Sequence, residues 1–394
     1  MQIRILSKNA SIPNIFAKIG VHPVGIEILK RKSEIYRIYI SGIKSVCANI
    51  IKQEMLAAGG DAAIPMEAIT GNEGTCDIVL LGTEKNLKIF MEKLKKQPFN
   101  LGEVSEKISD VMACYHPPLQ WKTAKRTLSL EKPLIMGILN ITPDSFADGG
   151  KYMQRDAAIE HAREMVREGA DIIDVGAEST RPGSRRISAE EEIKRLSPVI
   201  EEVAGLGKPV SIDTYKPEVA EFALEHGAEI VNDIFGLRKE GMVKVVKEYG
   251  AGICIMHMQG EPETMQQNPT YQDLIGEIYS FLEERRDFAI ANGIEKEKIV
   301  VDPGIGFGKT LEQNYEILAR LDEFLSLGCP ILIGASRKSF IGKVLDVPPE
   351  ERVYGTVAMN TVALMNCAKI LRVHDIKPHH HLVKLFSQFY YQLK

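Results

Sequence analysis

A chain of 394 residues, 44% hydrophobic and 26% charged, has the composition of a soluble globular protein long enough for a barrel plus a further domain. Its formal net charge of −4 excludes the basic footprint of a nucleic-acid or anionic-membrane binder. No apolar run approaches the roughly 20 residues that cross a bilayer, the N-terminus lacks a secretion-type apolar segment, and six scattered cysteines form no Cys-x-x-Cys pair, so the expectation is a cytoplasmic protein with reduced thiols.

In chain order, residues 1–118 show weak strand-like runs, RIYISG and DIVLLG, flanking helical stretches over 43–58 and 84–96. They predict a small α/β domain, and no motif in it carries chemistry. Residues 119–132 read as a linker, entered through Pro117-Pro118 and positively charged over 122–126; Trp121 within it carries no signal. From 133 to 394 one unit repeats: a short Val/Ile-rich run ending in polar residues or glycine, then an amphipathic segment. The runs cover 134–142, 171–180, 209–214, 229–234, 252–258, 298–308, 330–336 and 369–375. Near-continuous apolar runs suit parallel strands buried on both faces. Helix signals fall between them: Ser188 before Ala-Glu-Glu-Glu like a capping box, Pro217 at a first turn, and Gly227, Gly250, Gly293 and Gly328 as stops. Eight such units predict a (β/α)8 TIM barrel.

The active face of such a barrel is formed by the C-terminal strand ends, and the polar residues collect there: Asn140, Glu178 to Thr180, Asp213, Asn232-Asp233, His257, Asp302, Ser336 to Ser339, Arg372 and His374. One carboxylate after a strand is ordinarily a helix N-cap; convergence on nearly every strand describes a small-molecule site. The first loop, 142–150, carries Asp144 and ends in Gly149-Gly150, as a mobile lid does. The second presents Arg181 braced by Pro182 and Gly183, a bidentate donor for phosphate or carboxylate. Lys338 with Ser339 begins the helix after strand seven, and Arg372 and His374 alternate on strand eight, a basic set suited to a diphosphate or a similar anion. Asp213 and Asp302 suit an acid–base couple, a metal site or acceptors for a ligand rich in N–H groups. The lack of histidines at metal spacing weakens zinc, and Asn232 between them favours a heterocycle edge. PGIGFGKT (303–310) has Pro303 where a nucleotide P-loop requires glycine. His257 is expected to order the strand-five loop, and His379 to His381 to form a solvated helix start.

The strings MGILNITPDSFADGG, GAESTRPGS, SIDT with KPEVA, VNDI, MHMQG, DPGIGFGK, GASRKSFIG and RVHDI resemble, in order, the motifs of the dihydropteroate synthase family, from residue 134 to 375. The resemblance implies an enzyme of folate synthesis that joins 6-hydroxymethyl-7,8-dihydropterin diphosphate to p-aminobenzoate, releasing diphosphate. It implies that Asn140 holds Mg²⁺, that Asp213, Asn232 and Asp302 bond the pterin ring with Lys338 on its carbonyl side, and that Thr180, Arg372, Val373 and His374 line the diphosphate site. Phe307 and Met256 would sandwich a ring, and Ser339 would receive the p-aminobenzoate carboxylate. Asp144 would stabilise the cation left when diphosphate departs, and Arg181 would complete the p-aminobenzoate pocket. A homodimer built on helices within 347–367 is also implied. The chain departs from the pattern in its first ~118 residues and at Tyr215, where a smaller polar residue is common. A methyltetrahydrofolate-dependent corrinoid methyltransferase would share the pterin-gripping residues but has no use for the Arg181 loop or the Lys338, Arg372 and His374 set. A scaffold barrel would not keep a polar group at every strand end.

Overall fold

The computed structural model describes residues 1, 3–7, 10–70, 74–141, 151–179 and 186–393. Two compact units divide the chain, Met1–Ala113 and Cys114–Phe389, each with its own hydrophobic core. In the first unit, β1 (Ile35–Lys44), β2 (Asp61–Ala63) and β3 (Thr75–Thr83) make an antiparallel sheet in the order β1-β3-β2. Alternation along β1 places Tyr36, Ile38 and Ile40 against the core and leaves Ile35, Arg37 and Tyr39 exposed. The helices Ser45–Ala57 and Glu84–Leu94 cover the packed face with Ile51, Met55, Leu87 and Phe90. The second begins at Thr83, whose side chain and that of Asn86 cap each other's backbone N–H. The small α/β domain expected from the sequence is present.

Residues 119–132 do not behave as a linker. They form a hairpin of β4 (Gln120–Lys122) and β5 (Thr127–Ser129). Trp121, which carried no signal in the sequence, is fully buried and donates its Nε1–H to the Lys298 carbonyl at 3.0 Å. It packs with Leu130 against Met136, Ile172, Ile230, Cys254, Val300, Leu332 and Ile370. The forked guanidinium of Arg126 holds the hairpin to Glu229, with Nη2 at 2.6 Å and Nε at 3.1 Å. The hairpin therefore plugs the N-terminal end of the barrel.

That barrel consists of β6 (Leu134–Asn140), β7 (Ile172–Gly176), β8 (Val210–Asp213), β9 (Ile230–Asp233), β10 (Gly252–Met256), β11 (Ile299–Asp302), β12 (Leu332–Ile333) and β13 (Ile370–Val373), all parallel. The hydrogen-bonded order runs from β11 down to β6, then β13 and β12. A parallel bridge between Val301 and Ile331 joins the two ends of that order. Both faces of each strand are buried, by different partners: on β7, Ile173 and Val175 face the helix-packed outer core, while Ile172 belongs to the inner cluster under the plug. Helices follow the strands as expected: Ser188 caps Ala189–Leu196 and Pro217 opens Pro217–Glu225. One expectation fails. His379, placed by the sequence in a solvated helix start, is fully buried with Nδ1 2.6 Å from the Asp375 carbonyl, because the helix Ile376–Leu393 lays this turn against the barrel.

Trp121 is the single tryptophan of the chain. Trp121→Ala should destabilise the barrel by about 3–5 kcal/mol, the usual cost of emptying a buried aromatic site. The midpoint of denaturant unfolding followed by circular dichroism measures this, and a loss below about 1 kcal/mol would mean that the hairpin is not part of the barrel's folding unit.

Candidate active site

The period of two that buries both strand faces also decides which polar side chains enter the barrel. Inward positions above the plug are taken by Asp174 on β7, Ser211 and Asp213 on β8, Asn232 on β9, Met256 on β10, Asp302 on β11 and Arg372 on β13. Arg372 is the centre of this group. Its Nε donates to Asp174 Oδ2 and its Nη2 to Asp213 Oδ2, each at 2.6 Å. Asn232 Nδ2 donates to the same Asp174 oxygen at 3.3 Å. Asp174 has no exposed surface, and sequence reasoning missed it. The available signal was a carboxylate inside an apolar run, which a strand buried on both faces tolerates only with a charged partner.

Burial pushes the Asp213 carboxyl up from the ordinary carboxylate range, and the Arg372 guanidinium opposes that shift. Asp302 is pushed up by the same cause and drawn back by Lys338 and the Gly304 N–H, which donates to its Oδ1 at 2.7 Å. Burial lowers Lys338 to about 8, with Asp302 opposing. Its ammonium lies 4.4 Å from the centre of the Phe307 ring and donates to the Ile305 carbonyl. The buried Asp174 Oδ1, Ser211 Oγ and Asp213 Oδ1 have no hydrogen-bond partner among the described residues. A buried acceptor left in that state costs about 1–3 kcal/mol unless a bound molecule donates to it. The chemistry offered is therefore that of a cleft for an N–H-rich ligand. Phe307 and Met256, in one cluster with Tyr215, Phe235, Met258 and Met265, supply its apolar wall.

The loop from Pro303 to Gly308 is a packed support. Gly304 has φ +72°, and a Cβ there would stand 1.9 Å from the His257 carbonyl; at Gly306, φ +79°, it would stand 2.9 Å from Lys338 Cδ. Lys309, also missed by the sequence reading, is buried and donates to the Phe307 carbonyl at 2.9 Å, with His257 Nδ1 at 3.0 Å. Burial lowers Lys309 to about 7. Burial, with the neighbouring Lys309 ammonium, holds the His257 imidazole far below its ordinary value.

The other expected residues fall as follows. Asn140 is half-buried at the end of β6, and the His374 backbone N–H donates to Ser336 Oγ at 3.1 Å, with its Nδ1 2.9 Å away. Ser339 is the exposed first residue of the short helix Ser339–Leu345. The Val373 side chain does not face the mouth. Alternation sends it into the outer core, so only its backbone is left to serve a ligand. Asp233 is a structural cap, accepting from the N–H groups of Phe235 and Leu237 at 2.8 and 2.7 Å. Arg337 is drawn aside by Asp375. Tyr215, the departure noted in the third loop, packs against Phe235 with the rings tilted by 35° and donates to Glu178 at 3.1 Å. Lys216 holds that same carboxylate, so Glu178 braces loops instead of facing the cleft. Asp144, Thr180 and Arg181 lie outside the described residues.

Lys309 has a measurable consequence. Between pH 7 and about 10.4 the unfolded chain holds a proton at this position that the folded chain does not. Stability should rise with pH through that window. Lys309→Met should reduce the slope by up to about 1.4 kcal/mol per pH unit, read from denaturant melts at pH 7 to 10; an unchanged slope would show that the buried amine keeps its proton.

Residues 136–374 match the model of a family described as pterin binding enzyme. The dihydropteroate synthase of Escherichia coli (strain K12) is 48% identical over 252 residues, covering 64% of this chain and 89% of the relative. Among solved structures, the Xanthomonas albilineans dihydropteroate synthase with 4-aminobenzoic acid superposes with a TM-score of 0.65 at 40% identity, covering 69% of this chain and 98% of that one. The Burkholderia cenocepacia dihydropteroate synthase complexed with 7,8-dihydropteroate gives 0.64 at 39%, covering 70% and 98%. These matches span the barrel and every described strand end that builds the cleft, and the chain belongs to the dihydropteroate synthase family of pterin-binding enzymes.

Proposed function

We propose that this chain condenses 6-hydroxymethyl-7,8-dihydropterin diphosphate with p-aminobenzoate, forming 7,8-dihydropteroate and releasing diphosphate. The observation that carries the reading is the buried acceptor Asp213 Oδ1, without a hydrogen-bond partner among the described residues, beside Asn232 and below an apolar wall. A pterin presents several N–H donors along one edge of a flat ring and matches that arrangement. Asp213, Asn232 and Asp302 accept from this edge, Lys338 reaches the carbonyl side, and Phe307 and Met256 lie against the rings. Arg372 and His374, with Thr180, serve the diphosphate, to which Val373 can contribute only backbone.

In the reaction the bond from the exocyclic methylene to the diphosphate oxygen breaks, and a bond to the p-aminobenzoate nitrogen forms with loss of an N–H proton. Positive charge develops on the methylene and spreads into the pterin. A carboxylate that opposes it, Asp144 on the first loop, would stabilise that charge as it develops. Lys338 and Arg372 favour departure of the anionic group, while Arg181 and Ser339 hold the p-aminobenzoate carboxylate. Mg²⁺ is the implied cofactor. Asn140 offers one neutral oxygen at the mouth, and among the described residues no three His, Cys, Asp or Glu side chains cluster to hold an ion. That donor set fits Mg²⁺ arriving with the diphosphate, since this ion takes few protein ligands and completes its shell with phosphate oxygens and water. Bound there, it would neutralise charge on the leaving diphosphate.

The active form is a homodimer in the cytoplasm. Tyr354, 84% exposed, together with Val344, Leu345 and Met365 gives the region 344–365 an apolar outer surface suited to a second copy. Free cysteines suit a reducing compartment.

Purified protein given the pterin diphosphate, p-aminobenzoate and Mg²⁺ should yield a product with the mass of dihydropteroate, and chelation of the metal should abolish it. Pterin diphosphate bound but never converted would leave a binding barrel with another acceptor. Asp144→Ala should lower turnover by at least about tenfold with little change in pterin affinity, because its charge acts on the transition state; equal turnover would remove the first loop from the chemistry.

A further inference from the structure

We propose that Asp174 is a positioning residue for pterin diphosphate, one that orients Arg372 and sets the hydrogen-bonding polarity of Asn232. The inference rests on the function proposed above and concerns the recognition half of that site.

Asp174 lies on β7, while the two groups it holds come from β13 and β9, strands on opposite sides of it in the barrel. Its Oδ2 accepts from Arg372 Nε at 2.6 Å and from Asn232 Nδ2 at 3.3 Å, and the residue has no solvent-exposed surface. The bond at Nε fixes the plane of the guanidinium close to its stem. The outer nitrogens are left to reach Asp213, as Nη2 does at 2.6 Å, or a ligand. A long side chain without that inner bond would spread over several rotamers and bind an anion only after ordering itself.

The effect on Asn232 is sharper. An ionised carboxylate can only accept hydrogen bonds, so the carboxamide must turn its NH₂ toward Asp174. Its carbonyl oxygen is then the group left for a bound ring, and the position reads a donor. With a neutral amide in place of Asp174, either face of Asn232 could be satisfied, and the discrimination between donor and acceptor would weaken. Through its Oδ2 one carboxylate thereby imposes the polarity of the group that reads the ring.

The test uses the full chain and the isosteric variant Asp174→Asn. Affinity for pterin diphosphate with Mg²⁺ present and p-aminobenzoate absent, measured by titration calorimetry, should fall at least about tenfold, the loss expected when a charge-assisted orientation is removed. The KM for p-aminobenzoate at saturating pterin diphosphate should stay within about twofold, a split that general loosening of the barrel would not give. Arg372→Gln supplies the second arm: the double variant should lose clearly less than the product of the two single losses, because the guanidinium that Asp174 orients is gone and only its effect on Asn232 remains. Wild-type affinity in Asp174→Asn, or losses that multiply in the double variant, overturns the proposal while leaving the function standing. A wild-type chain that does not bind pterin diphosphate overturns both. If the asparagine variant does not fold, Asp174→Ser is read by the same criteria.

Discussion

A guanidinium bonded to two carboxylates inside a closed parallel sheet is the constraint on which the rest of this structure depends. Arg372, Asp174 and Asp213 are held where water is scarce, and taking such groups out of water costs several kcal/mol per ion unless each is paired and bonded. Three strands must therefore keep their register to within a fraction of an ångström of these contacts. A slip of one residue on β13 would send Arg372 into the outer core and Val373 inward. The apolar layer below, sealed by Trp121, and the helix-packed layer outside hold that register.

Above the ion pairs the architecture is one of supports. The Pro303–Gly308 turn brings its backbone against His257 and Lys338 more closely than any side chain would permit, and Lys309 ties the Phe307 carbonyl to the strand-five loop. The lysine spends its donors on a neutral carbonyl and a neutral imidazole, and burial lowers its proton affinity in the fold. Glu178, Lys216 and Glu192 form a similar brace between the second and third loops. In both cases charged residues near the mouth hold loops in place while others face the cleft, which is why charge alone was a poor guide to which was which.

The N-terminal unit has a core of its own and a sheet with one packed face. The catalytic assignments rest entirely on the barrel, the part of the chain that the solved dihydropteroate synthases share.

Much of this was legible in the order of residues. Eight apolar runs with polar ends and capped helices between them define a parallel barrel, because burial on both faces and helix capping are local demands that each segment states for itself. The placing of Asp213, Asn232, Asp302 and Arg372 at the strand ends was legible in the same runs. Only the tertiary structure decided which polar groups meet. Asp174 and Arg372 are 198 residues apart, so nothing local marks them as partners. Trp121 looked idle because its cavity is built from seven strands that follow it. His379 looked solvated because its burial depends on how a helix lies against the barrel. Sequence carries what a segment needs from its own backbone and period, whereas pairing across the barrel is a property of closure and exists only once every strand is in place.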